Sequence, residues 1–103
     1  EKAYLIGGRG VKPVNELDPQ TGVWKAKSPT PIEVHHMQCV AVDDSIYILN
    51  AWTGKFPYEK NVEQIMVYDT ITDTWSYRVG LPEHRQRGGG ASVLLTNPTD
   101  GTR

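Results

Sequence analysis

The 103-residue sequence has little of several things that define common protein classes. It contains one cysteine, Cys39, so an intrachain disulfide is impossible. It contains no apolar run of about 18 residues, the length that a membrane-spanning helix needs. Its formal net charge is only −1. General binding to nucleic acids or to membrane surfaces needs a basic field, which this balance does not supply.

Helical periodicity is also absent. No segment places its apolar residues on one helical face, and seven prolines and ten glycines would interrupt such a segment. The apolar residues fall instead into short runs rich in β-branched and aromatic residues, such as IYILN at 46–50. Cys39 lies in another run, MQCVAV at 37–42, where its simplest role is that of a small buried hydrophobic residue. The sequence therefore predicts an all-β protein.

The sequence does contain an internal repeat. DPQTGVW at 18–24 and DTITDTW at 69–75 share an Asp, a Thr three residues later and a Trp three residues after that. These copies lie 51 residues apart, whereas AYLIG at 3–7 matches IYILN at 46–50 at a separation of 43. The second copy therefore has eight extra residues between 50 and 62. A length change confined to one interval is typical of a surface loop.

Each copy is organised as strand, tight turn, strand, long loop, strand, tight turn and strand. The turn cluster DDS at 43–45 separates two apolar runs, and DTITDT at 69–74 separates VEQIMVYD from TWSYRV. This order predicts a four-stranded antiparallel meander. A four-stranded unit of about 50 residues is typical of one blade of a β-propeller.

The sequence resembles the kelch-repeat family. In that family an aromatic residue precedes a double glycine, a Tyr or apolar residue precedes an Asp, and a Trp follows that Asp. The first copy has YLIGG at 4–8, LD at 17–18 and Trp24, and the second has IYILNA, YD and Trp75. The second copy departs from the pattern at Asn50-Ala51, which replaces the double glycine. Asn tolerates the left-handed conformation that Gly favours, so Asn50 is expected to preserve it.

The resemblance implies the blades of a kelch-type β-propeller. Residues 1–32 would form an incomplete first blade with strands two to four, 33–83 a complete second blade, and 84–103 the start of a third. Kelch rings close with about five to seven blades, so the remaining blades are expected on a longer chain. The residues expected to form the structural core of the repeats are Tyr4, Gly7, Gly8, Trp24, Tyr47, Tyr68 and Trp75.

The resemblance also implies a ligand-binding face. In such propellers the loop entering the first strand of a blade and the loop joining its second and third strands open on the same side. These loops are expected at 8–13, 29–38, 51–61 and 81–89. The candidate ligand-binding residues on them are His35, His36, Trp52, Phe56, Tyr58, Arg85 and Arg87.

Two alternatives stay open for these candidates. The aromatic residues of loop 51–61 form either a contact platform or a loop that packs its own aromatic rings onto the blade. His35 and His36 are adjacent, and adjacent residues on a strand point to opposite sides. One would then be a hydrogen-bonded structural histidine and the other a solvent-facing or ligand-contacting one, which disfavours a metal held by both.

The predicted function is that of a binding module that recognises a protein or carbohydrate partner through its loop face. The alternative is part of a kelch-fold enzyme, because the resemblance extends to galactose-oxidase-like oxidases and sialic-acid mutarotases. The oxidase type needs a Tyr before the histidine pair, where this sequence has Val34. No catalytic residue, metal site or cofactor is predicted, and nucleic acid is not an expected partner.

Overall fold

The computed structural model describes residues 1–82, 86 and 88–103. These residues form β-strands joined by turns and loops. None of them belongs to a helix long and apolar enough to cross a membrane. The strands in this part of the chain are β1 (Ala3–Ile6), β2 (Val14–Asp18), β3 (Val23–Ala26), β4 (Cys39–Val42), β5 (Ser45–Ile48), β6 (Trp52–Thr53), β7 (Lys60–Asn61), β8 (Gln64–Asp69) and β9 (Thr74–Gly80).

The strands form two antiparallel meanders. The first sheet has the order β1-β2-β3, and the second has the order β4-β5-β8-β9. The internal repeat is visible in the register, because Leu17 pairs with Trp24 in the first sheet and Tyr68 pairs with Trp75 in the second. The predicted all-β meander is confirmed. The extra residues of the second copy form a separate two-stranded hairpin, β6-β7, inserted between β5 and β8.

The repeated Asp of the two motifs caps a tight turn. The carboxylate of Asp18 accepts the backbone N–H of Gln20 at 2.9 Å. The carboxylate of Asp69 accepts two backbone N–H groups, those of residues 71 and 72, at 2.8 and 3.0 Å. Gly22 and Asp73 end these turns with φ of +72° and +56°. The motif is therefore conserved between the copies because it builds the turn between the last two strands.

An apolar core lies between the two sheets and extends under the hairpin. The first sheet contributes Val14, which is buried with Ile46 and Tyr68 of the second. Tyr4 and Ile6 of β1 pack against the same cluster. The second cluster comprises Val34, Ile48, Ala51, Val62 and Met66.

Tyr4, Tyr68 and Trp75 pack together between the two sheets. The ring of Tyr68 is fully buried, with its centroid 5.9 Å from that of Tyr4 and 5.1 Å from that of Trp75. The indole N–H of Trp75 donates to the carbonyl of Ser28 at 3.1 Å. Burial and a hydrogen bond to the Glu16 carboxylate raise the pKa of the Tyr4 hydroxyl to about 12. These contacts tie the two sheets together.

The double glycine of the first copy is required by a close backbone approach. Gly7 has a φ of +74°, and a Cβ at this position would lie 2.6 Å from the carbonyl oxygen of Val34. The N–H of Gly8 donates to that same oxygen at 2.9 Å. In the second copy neither Asn50 nor Ala51 has a positive φ, so the expectation for Asn50 is wrong. Ala51 is instead buried, with its carbonyl accepting the N–H of Val62 at the base of the inserted hairpin.

Three residues expected in the interior are placed differently. Trp24 is 53% exposed, because it lies with Leu17 on the face of the first sheet opposite to the one that packs on the second sheet. Tyr47 is only half-buried. The adjacent residue Ile46 on β5 faces the first sheet, so the Tyr47 side chain points to the other face. Cys39 is exposed, since it lies at the start of the edge strand β4.

Residues 88–103 run along the second sheet without forming a strand in the described part of the chain. They begin beside the entry loop, where the N–H of Gly89 donates to the carbonyl of His36. They end at the β4-β5 turn, where Arg103 forms an ion pair with Asp43. The assignment of this segment to a third blade stays a prediction.

Candidate functional site

The enlarged loop of the second sheet is a braced hairpin. Trp52 pairs with Asn61 and Thr53 with Lys60, so the eight extra residues extend as a regular element with its tip at 54–59. The tip is closed by a hydrogen bond of 2.6 Å from the N–H of Tyr58 to the carbonyl of Lys55.

Backbone hydrogen bonds join this hairpin to the entry loop at 29–38. The N–H of His35 donates to the carbonyl of Trp52 at 2.9 Å, and the N–H of Trp52 donates back to the carbonyl of His35 at 3.0 Å. Loop 8–13 joins the same side through the hydrogen bond between Gly8 and Val34. The structure thus brings together loops 8–13, 29–38 and 51–61, which we call the loop face.

His35 is a buried structural histidine. It is 5% exposed, and its Nε2 lies 2.8 Å from the carbonyl oxygen of Gly54. A carbonyl can only accept, so Nε2 of His35 carries a proton and donates to Gly54. Nδ1 of His35 lies 2.6 Å from Nδ1 of His36, so the two rings are joined by a hydrogen bond. His35 is therefore hydrogen-bonded through both ring nitrogens.

The expectation that His35 and His36 point to opposite sides is wrong. His36 has a φ of +50°, so the backbone is not extended at this point and the two rings converge at a centroid distance of 4.9 Å. His36 is exposed and packs its ring on that of Trp52, also at 4.9 Å. The described residues contain no group of three or more His, Cys, Asp or Glu side chains placed to hold a metal ion.

Trp52 is a packing residue at the base of the hairpin. Its indole N–H donates to Oδ1 of Asn61 at 3.1 Å, and the ring is half-buried between His36 and Gly88. A Cβ at Gly88 would collide with the Trp52 ring, so any larger residue there has to displace that ring. Two roles are expected for the aromatic residues of loop 51–61, contact with a partner or packing onto the blade. Trp52 packs onto the blade.

Phe56 and Tyr58 behave differently from Trp52. They are 77% and 80% exposed at the tip of the hairpin. Exposed rings of this size have no packing role in this part of the chain, which leaves them free to make contacts. The tip therefore combines two exposed aromatic rings with a base that is fixed by hydrogen bonds.

A charged pair braces the hairpin against the neighbouring sheet. The guanidinium of Arg9 lies 3.0 Å from the carboxylate of Glu59, whose side chain is only 14% exposed. On the other side of the tip, the Glu33 carboxylate accepts the N–H of Gly54 at 3.0 Å. Neither Arg9 nor Glu59 is among the candidate binding residues predicted from the sequence. A signal for them existed, because residues of opposite charge stand on equivalent loops of neighbouring repeats.

The two remaining candidates, Arg85 and Arg87, lie outside the described residues. Within the same segment the structure places Gln86, whose side-chain amide donates to the carbonyl of Leu81 at 3.4 Å. It also places Gly88 and Gly89, which contact Trp52 and His36. Loop 81–89 therefore reaches the loop face through its glycines.

Two curated proteins are similar to this sequence, although no family model matches it. The Kelch-like protein terF of Aspergillus terreus is 32% identical over 76 residues, which cover 73% of this chain and 17% of that protein. The Kelch-like protein 35 of Mus musculus is 30% identical over 84 residues, which cover 77% of this chain and 13% of that protein. This chain belongs to the kelch-repeat family. It spans less than a fifth of the length of these kelch relatives.

The kelch pattern coincides with the contacts that hold the two sheets together. Its double glycine is the close approach of Gly7 to Val34, and its Asp caps the turn between the last two strands. Its Trp is Trp75, which bridges to the first sheet through Ser28. The kelch signature thus describes the scaffold, whereas the exposed residues of the loop face lie outside it.

Proposed function

We propose that this kelch segment contributes a protein-binding surface, with Phe56 and Tyr58 as its central contacts. The observation that carries the proposal is that both rings are exposed at the tip of a hairpin whose base is fixed. Aromatic side chains concentrate binding energy in protein interfaces. A surface that is already ordered loses less conformational entropy on binding.

Contacts around the tip support the proposal that this surface is ordered before it binds. The base is tied to His35 by two backbone hydrogen bonds, and one flank is held by the ion pair between Arg9 and Glu59. The other flank is held by Glu33. His36 contacts Trp52 beneath the tip and is the polar residue best placed to join the rim of an interface.

A carbohydrate is the second candidate ligand. Exposed flat aromatic rings also stack on the apolar faces of sugars, and Phe56 and Tyr58 are the two most exposed aromatic rings of the described residues. Binding of the full-length protein to a glycan array, lost in the Phe56→Ala and Tyr58→Ala variants, would favour this ligand class over a protein.

Site-specific photocrosslinking tests the proposal. A photoreactive phenylalanine analogue at position 56 of the full-length protein should crosslink to a defined partner in the native extract. The same analogue at position 71 is the matched control, because Ile71 is 74% exposed on a turn at the other end of the strands. The crosslinked species should disappear when Tyr58 is also replaced by Ala, if both rings at the tip contact the same partner as proposed.

The control at position 71 also defines the result that would contradict the proposal. Crosslinks that form from position 71 and not from 56 would place the interface on the opposite turns. Crosslinks from neither position would show that this segment supports the fold and that other blades bind the partner.

A further inference from the structure

Charged residues are divided unequally between the two ends of the strands. The loop face carries four Lys or Arg residues and two Glu residues in the sequence of its three loops. The turns at the other ends of the strands lie at 18–22, 43–44 and 69–73, and we call them the opposite turns. They carry five Asp residues and no Lys or Arg. A chain with a net charge of −1 therefore presents one basic surface.

Both carboxylates of the loop face are already engaged within the fold. Glu59 forms its ion pair with Arg9, and burial of the Glu59 side chain to 14% exposure leaves little of it to meet a ligand. Glu33 accepts the N–H of Gly54 and lies 3.6 Å from Nε2 of His35. Neither acid therefore presents a free negative charge at the tip.

The lysines are not engaged in the same way. Lys12, Lys55 and Lys60 are exposed, and no carboxylate of the described residues lies within ion-pair distance of them. Lys55 directly precedes Phe56, and Lys60 follows Tyr58 by two positions. Among the described residues, the free charges around the aromatic tip are thus all positive.

We infer that the loop face takes an acidic protein segment that also carries an aromatic or aliphatic side chain. This inference rests on the proposed function and names the chemical class of the partner. The apolar side chain packs between Phe56 and Tyr58, and the carboxylates of the segment face Lys55 and Lys60. Complementary charge of this kind speeds association and selects against basic or neutral partners.

A nucleic acid fits these observations less well. Binding of a single strand needs a continuous groove of cations that follows successive phosphates. The loop face offers three free lysines in its described residues, and Lys12 stands on a different loop from the other two. A short acidic peptide needs only a few charges beside an apolar contact.

The test is an unbiased selection followed by affinity measurements. A random 12-residue peptide library displayed on phage is selected on the full-length protein, with counter-selection on the Phe56→Ala/Tyr58→Ala variant. We expect the enriched peptides to contain Asp or Glu beside an aromatic or aliphatic residue. Enriched peptides that are neutral or basic would overturn the inference while leaving the loop face as a binding surface. A selection with no peptide that depends on Phe56 and Tyr58 would overturn the proposed function as well.

Charge-reversal variants then measure the electrostatic contribution to the affinity for the enriched peptide. Lys55→Glu/Lys60→Glu should weaken binding about tenfold or more at low ionic strength, and the difference should shrink as salt screens the charges. Lys25→Glu is the matched control, because Lys25 is exposed on β3 away from the loop face, and it should leave the affinity within about twofold. Equal effects of the two changes would overturn the inference.

The pair between Arg9 and Glu59 gives a test in which two substitutions act in opposite directions. Arg9→Gln removes a cation and leaves the Glu59 carboxylate without its partner, so binding of the acidic peptide should weaken. Glu59→Gln releases the Arg9 guanidinium, so binding should strengthen. Weakening by both would mean that the pair acts only by holding the loop in place and would contradict the charge argument.

An oligothymidylate is the competing probe. It should not displace the enriched peptide at equal concentration of negative charge. Displacement by the oligonucleotide, with an affinity that is unchanged in the Phe56→Ala variant, would show a general polyanion surface and overturn the assignment to a protein segment.

Discussion

Asp73 links the two sheets although it stands in an exposed turn. One of its carboxylate oxygens accepts the hydroxyl of Tyr68 at 2.6 Å and the backbone N–H of Ser28 at 2.9 Å. These hydrogen bonds hold the pKa of Asp73 below its usual range. In the first repeat the same place is taken by Gly22, which satisfies the positive φ but cannot form such bonds.

The first prediction concerns acid stability. A carboxyl whose pKa is lower in the folded state stabilises the protein above its ordinary value of about 3.9, and this stabilisation is lost as the pH falls through the lowered pKa. Asp73→Asn removes the titration while keeping an acceptor and a side chain that tolerates positive φ. The urea midpoint of the variant should therefore fall less steeply than that of the wild type when the pH is lowered from 5 to 2.

Some acid dependence should remain in that variant. Backbone and side-chain hydrogen bonds also lower the pKa values of Asp18 and Asp69. Asp44→Asn is the control, since the side chain of Asp44 makes no hydrogen bond within the described residues and only its carbonyl accepts from Thr70. An acid profile of Asp73→Asn identical to that of the wild type would contradict the role of Asp73.

The second prediction is that Trp75→Ala lowers stability rather than binding. The substitution removes a ring that packs on Tyr68 and the hydrogen bond to Ser28, and it should lower the free energy of unfolding by about 3 kcal/mol. Trp75→Phe keeps part of the packing and loses the hydrogen bond, so it should cost about 1 kcal/mol. Urea midpoints and partner affinity are measured on the full-length protein. An unchanged midpoint with lost binding would contradict this role.

At the scale of elements, the glycines of 88–90 allow the segment after β9 to lie against the hairpin. The third prediction is that Gly88→Ala destabilises the protein by about 1–3 kcal/mol, because the added methyl group has to displace the Trp52 ring. Gly90→Ala should cost less, since the nearest atoms belong to the flexible side chain of Asn50 at 3.1 Å. Both costs are read from urea midpoints.

A double-mutant cycle checks the cause of that cost. In a Trp52→Ala background the methyl group at position 88 has no ring to displace, so the penalty of Gly88→Ala should largely disappear. A penalty that stays the same in both backgrounds would mean that the backbone, not the indole ring, sets the requirement for glycine.

The elements themselves were largely predictable from the sequence. The repeat at separations of 51 and 43 located both meanders, the capped turns and the inserted loop, because turn chemistry and strand patterns are local. The repeat also gave the expectation that Tyr68 and Trp75 are packing residues, and both rings lie between the two sheets. For Trp24 the packing role stays a prediction, because a repeat position fixes the direction of a side chain but does not say whether another sheet covers it.

The geometry of the site was less accessible from sequence. The convergence of His35 and His36 depends on one positive φ at a residue that is not glycine, which no local pattern indicates. Trp52 is packed whereas Phe56 and Tyr58 are exposed. This difference depends on the contact of Trp52 with Gly88, which is more than 30 positions away in the sequence. Such non-local contacts are set by the packed structure.

At the scale of the molecule, both ends of the two-sheet unit are open in the described part of the chain. Within residues 1–82, 86 and 88–103, strand β1 pairs with β2 alone, and Leu5 on it is 61% exposed. On the outer strand β9, Val79 is 81% exposed and Tyr77 is 42% exposed. Kelch blades are repeat units, and repeat units need neighbours to bury their faces.

The last prediction is that the isolated 103-residue segment associates with itself. An unpaired strand edge with apolar residues is a template for pairing with another chain. Sedimentation velocity over a hundredfold range of concentration should show a weight-average mass that rises with concentration. Leu5→Lys places a charge on the open edge of β1 and should reduce this association, whereas Lys25→Gln on β3 serves as a control that leaves the edge unchanged. A segment that stays monomeric over the whole range, with one sharp unfolding transition independent of concentration, would show that two sheets suffice and that the open edges are adequately protected.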